Sequence, residues 1–143
     1  MSEVNWFVWA LLSAIFAALT AIFAKIGIQG VDSDLATLIR TAIIFVVLSF
    51  FVWLTGKWTN PLLLPRKTLI FLGLSALATG ASWVCYFRAL QMGNVSKVAP
   101  VDKMSVVLVA FFAFTFLGER PSLREWIGIA MVAGGVLTLA FKQ

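Results

Sequence analysis

The fold is decided by the stretch TLIFLGLSALATGASWVCYF, which runs from Thr68 to Phe87 and contains no charged residue. A helix that crosses the hydrocarbon core of a bilayer needs about 20 mostly apolar residues. This stretch meets that length by itself and therefore predicts a transmembrane helix. We expect the helix to cover residues 67–91.

Two apolar runs of similar length precede this stretch and two follow it, with short segments that favour turns between them. The five spans, numbered 1 to 5 in chain order, are expected at residues 6–28, 35–54, 67–91, 95–117 and 123–141. Ser33 or Asp34 is available to cap span 2. Ser122 and Glu125 have the spacing of a capping box at the start of span 5.

The composition supports a membrane protein over a soluble domain. Hydrophobic residues make up 62% of the 143 residues and charged residues only 12%, whereas a soluble domain carries about a quarter charged residues. We therefore predict an all-α integral membrane protein, a five-transmembrane-helix bundle in which residues 1–143 form one domain. The net charge of +5 does not predict nucleic-acid binding, because the basic residues are scattered between apolar runs.

Several simpler features narrow the possible functions. The chain has no histidine, which excludes a histidine metal site or histidine base, and we expect no metal and no cofactor. Its single cysteine, Cys85, makes no intrachain disulfide. We also expect no cleaved signal peptide, because Glu3 stands where a basic segment would be and the first apolar run is too long.

The two faces of the predicted bundle differ. Side A is the face of the N-terminus and of the loops between spans 2 and 3 and spans 4 and 5, and side B is the opposite face. Five of the six tryptophans map to side A, as an interfacial aromatic belt would: Trp6, Trp9, Trp53, Trp58 and Trp126.

The distribution of Lys and Arg gives a modest orientation signal. Side A carries Lys57, Arg66, Lys67, Arg120 and Arg124, and side B carries Lys25, Arg40, Arg88, Lys97, Lys103 and Lys142. Without the four that lie inside spans, the count becomes five against two, which favours side A as cytoplasmic. Because the bias is small, insertion in both orientations stays open.

Five charged residues are predicted to lie inside the spans, in one layer toward side B: Lys25, Arg40, Arg88, Asp102 and Lys103. One intramembrane charge costs at least about 2.5–3.5 kcal/mol, so several at one depth favour a shared polar cavity. Two alternatives stay open. Lys25 and Arg88 are close enough to side B to reach the interface, and Asp102 is a possible counter-ion to Arg40 or Lys103.

Other residues near this layer suggest how a cavity is built. Pro100 carries no N–H, so it predicts a broken helix beside the buried charges, as in transporters. Trp83, with Tyr86 and Phe87, either stacks on an organic substrate or packs within the protein.

Small residues four apart let helices approach closely in lipid. They occur in spans 1, 3 and 5, as Ser13, Ala17 and Ala21, as Ala76 and Gly80, and as Ala130 and Gly134. Two interpretations stay open: tight packing within one protomer, or a dimer contact on span 5.

A set of short motifs carries a resemblance to a known family. The motifs are Phe87-Arg88-Ala89-Leu90, Gly93, Val95-Ser96-Lys97-Val98-Ala99-Pro100, Leu117-Gly118-Glu119-Arg120, Glu125-Trp126-Ile127-Gly128 and Gly134-Gly135. In order and spacing they resemble the EamA domain of the drug/metabolite transporter superfamily, over essentially the whole chain.

The resemblance implies one half of an inverted-repeat transporter fold. Typical members have ten helices in two five-helix repeats of inverted topology around a substrate cavity, whereas this chain holds one repeat. A second copy, antiparallel as in the related small multidrug resistance proteins, or a paralogue would then complete the pathway. Those relatives carry an essential glutamate in their first helix; Glu3 lies before span 1 here, so their exchange chemistry is not carried over.

Together these observations predict a transporter of small metabolites or drugs in the inner membrane, acting as a homodimer or a heterodimer by alternating access. Asp102 is the expected coupling carboxylate, Arg40 and Lys103 are the expected partners of substrate charge, and Trp83 is the expected stacking wall. The basic residues suit an anionic or zwitterionic solute. A flippase subunit for lipid-linked substrates and a non-transporting assembly subunit stay open, and an enzyme is the least expected.

Overall fold

The computed structural model describes residues 2–141, with side chains from Trp6 onward. Within that part of the chain the elements are helical and no strand occurs. The helices are α1 (Ser2–Gly27), α2 (Ser33–Leu54), α3 (Arg66–Met92), α4 (Val95–Asp102), α5 (Ser105–Phe112) and α6 (Leu123–Phe141). A 3-10 turn at Pro61–Leu63 precedes α3, and a π-helical turn at Ala113–Leu117 follows α5. Lys142, which entered the count for side B, lies outside the described residues.

The five predicted spans are confirmed. The structure has five helical stretches long and apolar enough to cross a membrane: Trp6–Gly27, Ser33–Leu54, Arg66–Met92, Val95–Leu117 and Leu123–Phe141. The chain is therefore an all-α, multi-pass membrane protein. Helix α1 begins at Ser2, so Glu3 lies in its first turn and not before the helix, although it still precedes the apolar span.

Span 4 is distorted where Pro100 predicted a break, but it is not unwound. Helices α4 and α5 are joined through Lys103 and Met104, which both keep right-handed helical backbone angles. Here the N–H groups of Lys103 and Met104 donate to carbonyls three residues back, each at 3.0 Å, as in a 3-10 helix. The distortion is thus a tightened turn within one continuous span.

The helix starts follow local side-chain chemistry. Asp32, and not Ser33 or Asp34 as predicted, caps α2: its Oδ1 accepts from the N–H groups of Asp34 at 2.9 Å and Leu35 at 3.1 Å. The prediction was wrong because three adjacent polar residues all suit a cap. The capping box at α6 is confirmed, since the Ser122 N–H donates to Glu125 Oε2 at 2.6 Å.

The described residues fall into two compact units, and the single domain stays a prediction. The central unit is Phe23–Met92, in which α2 packs against α3. The terminal unit contains the described residues up to Ile22 and from Gly93 onward, where α6 packs against α4 and α5. In the terminal unit, the Phe114 and Trp126 rings meet edge to face with centroids 6.4 Å apart.

Two of the small residues lie in open space. A Cβ atom added to Gly80 in α3 or to Gly134 in α6 would meet no atom within 4 Å in the described part of the chain. Tight packing within one protomer and a dimer contact on span 5 both stay predictions.

Candidate functional site

The polar residues of the central unit meet at its side B end, where α2 begins and α3 ends. Asp34 lies in the first turn of α2, and Arg88 lies four residues before the end of α3. Arg88 donates to both carboxylate oxygens of Asp34, from Nε to Oδ1 at 3.2 Å and from Nη2 to Oδ2 at 2.7 Å. This bidentate pair joins the two helices through residues that are 54 positions apart in the chain.

Two further side chains at the same end of the central unit donate hydrogen bonds to backbone carbonyls. Lys25, in the last turn of α1, donates from Nζ to the carbonyl of Leu90, which is fully buried. Gln91 donates from Nε2 to the carbonyl of Val31 at 2.7 Å. The Leu90 carbonyl lies in the last turn of α3, where it has no partner within its own helix, and the Val31 carbonyl lies in the connection between α1 and α2. Lys25 thus binds a backbone carbonyl of α3, and its reach to the membrane interface stays an alternative.

Arg40 lies deeper in α2, against an aromatic wall on α3. Its Cζ is 4.5 Å from the centroid of the Trp83 ring and 5.4 Å from that of Phe87. Trp83 and Phe87 stand four residues apart, so they share one face of α3. Phe87 is buried at 3% exposure, and its ring lies edge-on to Tyr86 with centroids 6.4 Å apart.

The guanidinium of Arg40 is held in place but not neutralised. Within the described residues it makes no hydrogen bond or ion pair, and its neighbours are aromatic rings. Each of the two cation–π contacts contributes about 0.5–2 kcal/mol, which offsets part of the cost of an arginine inside a span but supplies no hydrogen-bond acceptor. The donors along the edge of its planar fork therefore suit an oxyanion such as a carboxylate or phosphate.

The ion pair and the aromatic wall form two levels. Arg40 is six residues beyond Asp34 in α2, which corresponds to about 9 Å along the helix axis. A solute that enters from side B would pass Arg88 and Asp34 before it meets Arg40. The arrangement therefore places a neutralised arginine at the mouth and, one level deeper, an arginine with no ion-pair partner among the described residues.

The other predicted site residues lie in the terminal unit. Asp102 ends α4, Lys103 follows it, and their Nζ and Oδ2 atoms are 3.5 Å apart. Asp102 is half-buried, and Pro100 stands one turn before the tightened segment. The structure thus pairs Asp102 with Lys103, as one of the alternatives for it expected.

Sequence reasoning missed Asp34, the residue that pairs with Arg88. An acidic residue at the start of a helix was interpreted as a cap, which drew attention away from longer-range partners. One signal was present: Asp34 opens span 2 and Arg88 nearly closes span 3, so both lie near side B with opposite charges. Among the described residues, no group of three His, Cys, Asp or Glu side chains is placed to hold a metal ion.

Comparisons with known proteins agree with the fold. A Sinorhizobium sp. protein named "Uncharacterized transporter in cobO 3'region" is 54% identical over 136 residues, which are 95% of this chain and 96% of that protein. Proteins named "Probable 4-amino-4-deoxy-L-arabinose-phosphoundecaprenol flippase subunit ArnE" from Hamiltonella defensa and Yersinia pestis are each 31% identical over 74 residues. Those residues are 52% of this chain and 67% and 65% of the two proteins.

No solved structure matches the chain. The model of the EamA-like transporter family matches residues 4–141, almost the whole length. That match agrees with the five spans and with the resemblance carried by the motifs. The chain belongs to the EamA-like transporter family.

Proposed function

We propose that this family member moves small anionic or zwitterionic solutes across the inner membrane, as a dimer that works by alternating access. The observation that carries the proposal is Arg40, an intramembrane guanidinium seated on Trp83 at 4.5 Å with no carboxylate partner in the described chain. Charged residues inside spans are costly and mark substrate or ion pathways. Arg40 would bind the solute's oxyanion, and Trp83 would stack on its planar part.

The proposed dimer is supported by the open sides of the central unit, which does not enclose a pathway by itself. The central unit has one face of α2 against one face of α3, while residues 66–82 of α3 are exposed. A closed pathway needs walls on all sides, and a second copy or a paralogue would supply them. The similar Sinorhizobium protein, a transporter by its name, is covered over 96% of its length, so a chain of this size carries the transporter name there.

Asp102 is the proposed coupling carboxylate. It is half-buried, precedes the tightened turn of span 4, and has Lys103 as its partner at 3.5 Å. Protonation of Asp102 would break that pair, and the irregular backbone beside it would let the two halves of the span shift. Lys103, once released, would be free to pair with a charge on a solute.

Transport by purified protein in liposomes tests these roles. We expect uptake of a transported carboxylate to fall about tenfold or more in Arg40→Gln, because a charge-assisted hydrogen bond is lost. Asp102→Asn should abolish uptake driven by a proton gradient but leave exchange of labelled for unlabelled solute. Arg124→Gln, which removes an arginine at side A, is the matched control. Normal transport by both site variants would contradict the proposal.

A flippase subunit for a lipid-linked substrate is the second candidate, favoured by the 31% identity to proteins named as such subunits. The phosphate of a lipid carrier offers the same oxyanion chemistry to Arg40. The two candidates separate in one assay. Competition of uptake by undecaprenyl phosphate, with none by soluble carboxylates, would favour the flippase, and the reverse would favour the metabolite transporter.

A further inference from the structure

The ion pair between Asp34 and Arg88 affects the electrostatic field at the site more than it stabilises the fold. Their side chains are 51% and 58% exposed, and exposed pairs contribute about 0–1 kcal/mol to stability. The geometry is nonetheless bidentate, with bonds of 3.2 and 2.7 Å. A bidentate carboxylate occupies two of the donors that Arg88 would otherwise offer to a solute.

The charges at this end of the central unit almost cancel. Three basic and two acidic residues lie there, giving a net charge of +1: Lys25, Arg40 and Arg88 against Asp32 and Asp34. Asp32 is engaged as the cap of α2, and Lys25 is bonded to the carbonyl of Leu90. Asp34 is therefore the residue whose charge decides whether Arg88 is available.

We propose that Asp34 is a specificity-determining residue: by holding Arg88 in a bidentate pair, it leaves Arg40 as the guanidinium offered to a solute and makes the site prefer monoanions over dianions. This inference rests on the proposed binding of anionic solutes at Arg40. Asp34 does not touch the solute. It changes the electrostatic field at the solute, because it neutralises the positive charge of Arg88.

Coulomb's law predicts whether each substitution raises or lowers the affinity for dianions relative to monoanions. The interaction of a solute with an added charge is proportional to the solute's own charge, so a dianion responds twice as strongly as a monoanion. Removing the Asp34 charge frees Arg88 and should help dianions most. Removing the Arg88 charge leaves Asp34 uncompensated and should harm dianions most.

Equilibrium dialysis of the purified full-length protein with labelled benzoate and labelled phthalate tests the proposal. The two probes share an aromatic ring and differ by one carboxylate. We expect the ratio of phthalate to benzoate affinity to rise about tenfold in Asp34→Asn and to fall by a similar factor in Arg88→Gln. The charge-swapped protein, Asp34→Arg with Arg88→Asp, should return to the wild-type ratio.

The control variants separate a failure of the proposed role of Asp34 from a failure of the proposed anion binding at Arg40. Glu119→Gln removes a carboxylate from a loop on side A and should leave the ratio unchanged. Loss of both affinities in Arg40→Gln, with no change of ratio in Asp34→Asn, would overturn the role of Asp34 but leave the proposed function standing. Shifts of the same sign in Asp34→Asn and Arg88→Gln would also overturn it, since a structural defect would move both alike. Binding of neither probe by the wild type would contradict the proposed anion site itself.

Discussion

A guanidinium that lies against an indole ring, without a carboxylate beside it, is oriented but keeps its full charge. Arg40 has this environment, with Trp83 at 4.5 Å and Phe87 at 5.4 Å from Cζ. Neither ring offers a hydrogen-bond acceptor to the guanidinium, so its N–H donors stay available. At the residue scale, the aromatic wall therefore prepares Arg40 to bind an oxyanion.

Replacing Trp83 by leucine should weaken solute binding without removing the charge. Because the cation–π contact is lost, we expect the dissociation constant for a bound carboxylate to rise about three- to tenfold. Titration calorimetry on purified protein measures this constant. Trp126→Leu, in which the lost ring packs against Phe114 in the terminal unit, is the matched control. Equal effects of the two substitutions would argue against a specific role for Trp83.

Single residues were predictable from sequence where one short-range rule decided the outcome. The capping box of Ser122 and Glu125 has a fixed spacing, and the structure contains its bonds. Arg40 and Trp83 were each expected to contact the solute, but no pattern in the sequence predicted the contact between them. The pairing of Asp34 with Arg88 depends on the approach of α2 to α3, which no local pattern in either helix encodes.

At the scale of helices, the start of α2 depends on one carboxylate. Asp32 Oδ1 accepts two backbone N–H groups that would otherwise lack a partner. The residue at the equivalent position of α4, Asn94, makes no such side-chain bond. The starts of α2 and α4 therefore allow a comparison, within one chain, between a helix with a side-chain cap and a helix without one.

Asp32→Ala should lower the free energy of unfolding by about 1 kcal/mol, because the cap of α2 is lost. We expect a decrease of a few degrees in the thermal midpoint, followed by circular dichroism in detergent micelles. Asp32→Asn keeps an acceptor and should stay close to the wild type, which separates capping from charge. Asn94→Ala should have little effect. A decrease in Asp32→Asn as large as in Asp32→Ala would show that the charge, and not the cap, stabilises the helix.

The positions of the backbone irregularities in span 4 could not be predicted from the sequence. Pro100 signalled an irregularity, because it removes one N–H from the helix. The irregularity lies at Lys103 and Met104, where bonds to carbonyls three residues back tighten the turn. The π-helical turn at Ala113–Leu117 was not predicted at all. Its four apolar residues and one threonine suit an α-helix equally well, so composition carried no signal for it.

At the scale of the whole molecule, hydrophobicity decides the fold and leaves the assembly open. Five apolar stretches and short connections were enough to predict five spans, since the bilayer sets both length and composition. The same uniform apolar surface hides which helix faces meet lipid and which meet another chain. The assembly must therefore be argued from charge on the two sides, which is the least decisive signal in the sequence.

We expect the chain to insert in both orientations, because sides A and B carry five and two basic residues once the four predicted intramembrane ones are left out, and this bias is modest. Single cysteines at Gln29 and at Thr59, in a Cys85→Ala background, report the two sides. Both positions are exposed and lie between spans. Labelling of intact cells with an impermeant thiol reagent should modify each position in a similar, partial fraction, as an antiparallel pair requires.

Full labelling after permeabilisation is the control, because it shows that both cysteines are reachable from one side or the other. Labelling of Gln29→Cys alone in intact cells would contradict dual insertion and place side A in the cytoplasm. A single five-helix repeat with one orientation cannot form an inverted pair with its own copies. In that case an oppositely oriented paralogue would have to supply the second repeat, and co-purification of a second five-span chain would be the next measurement.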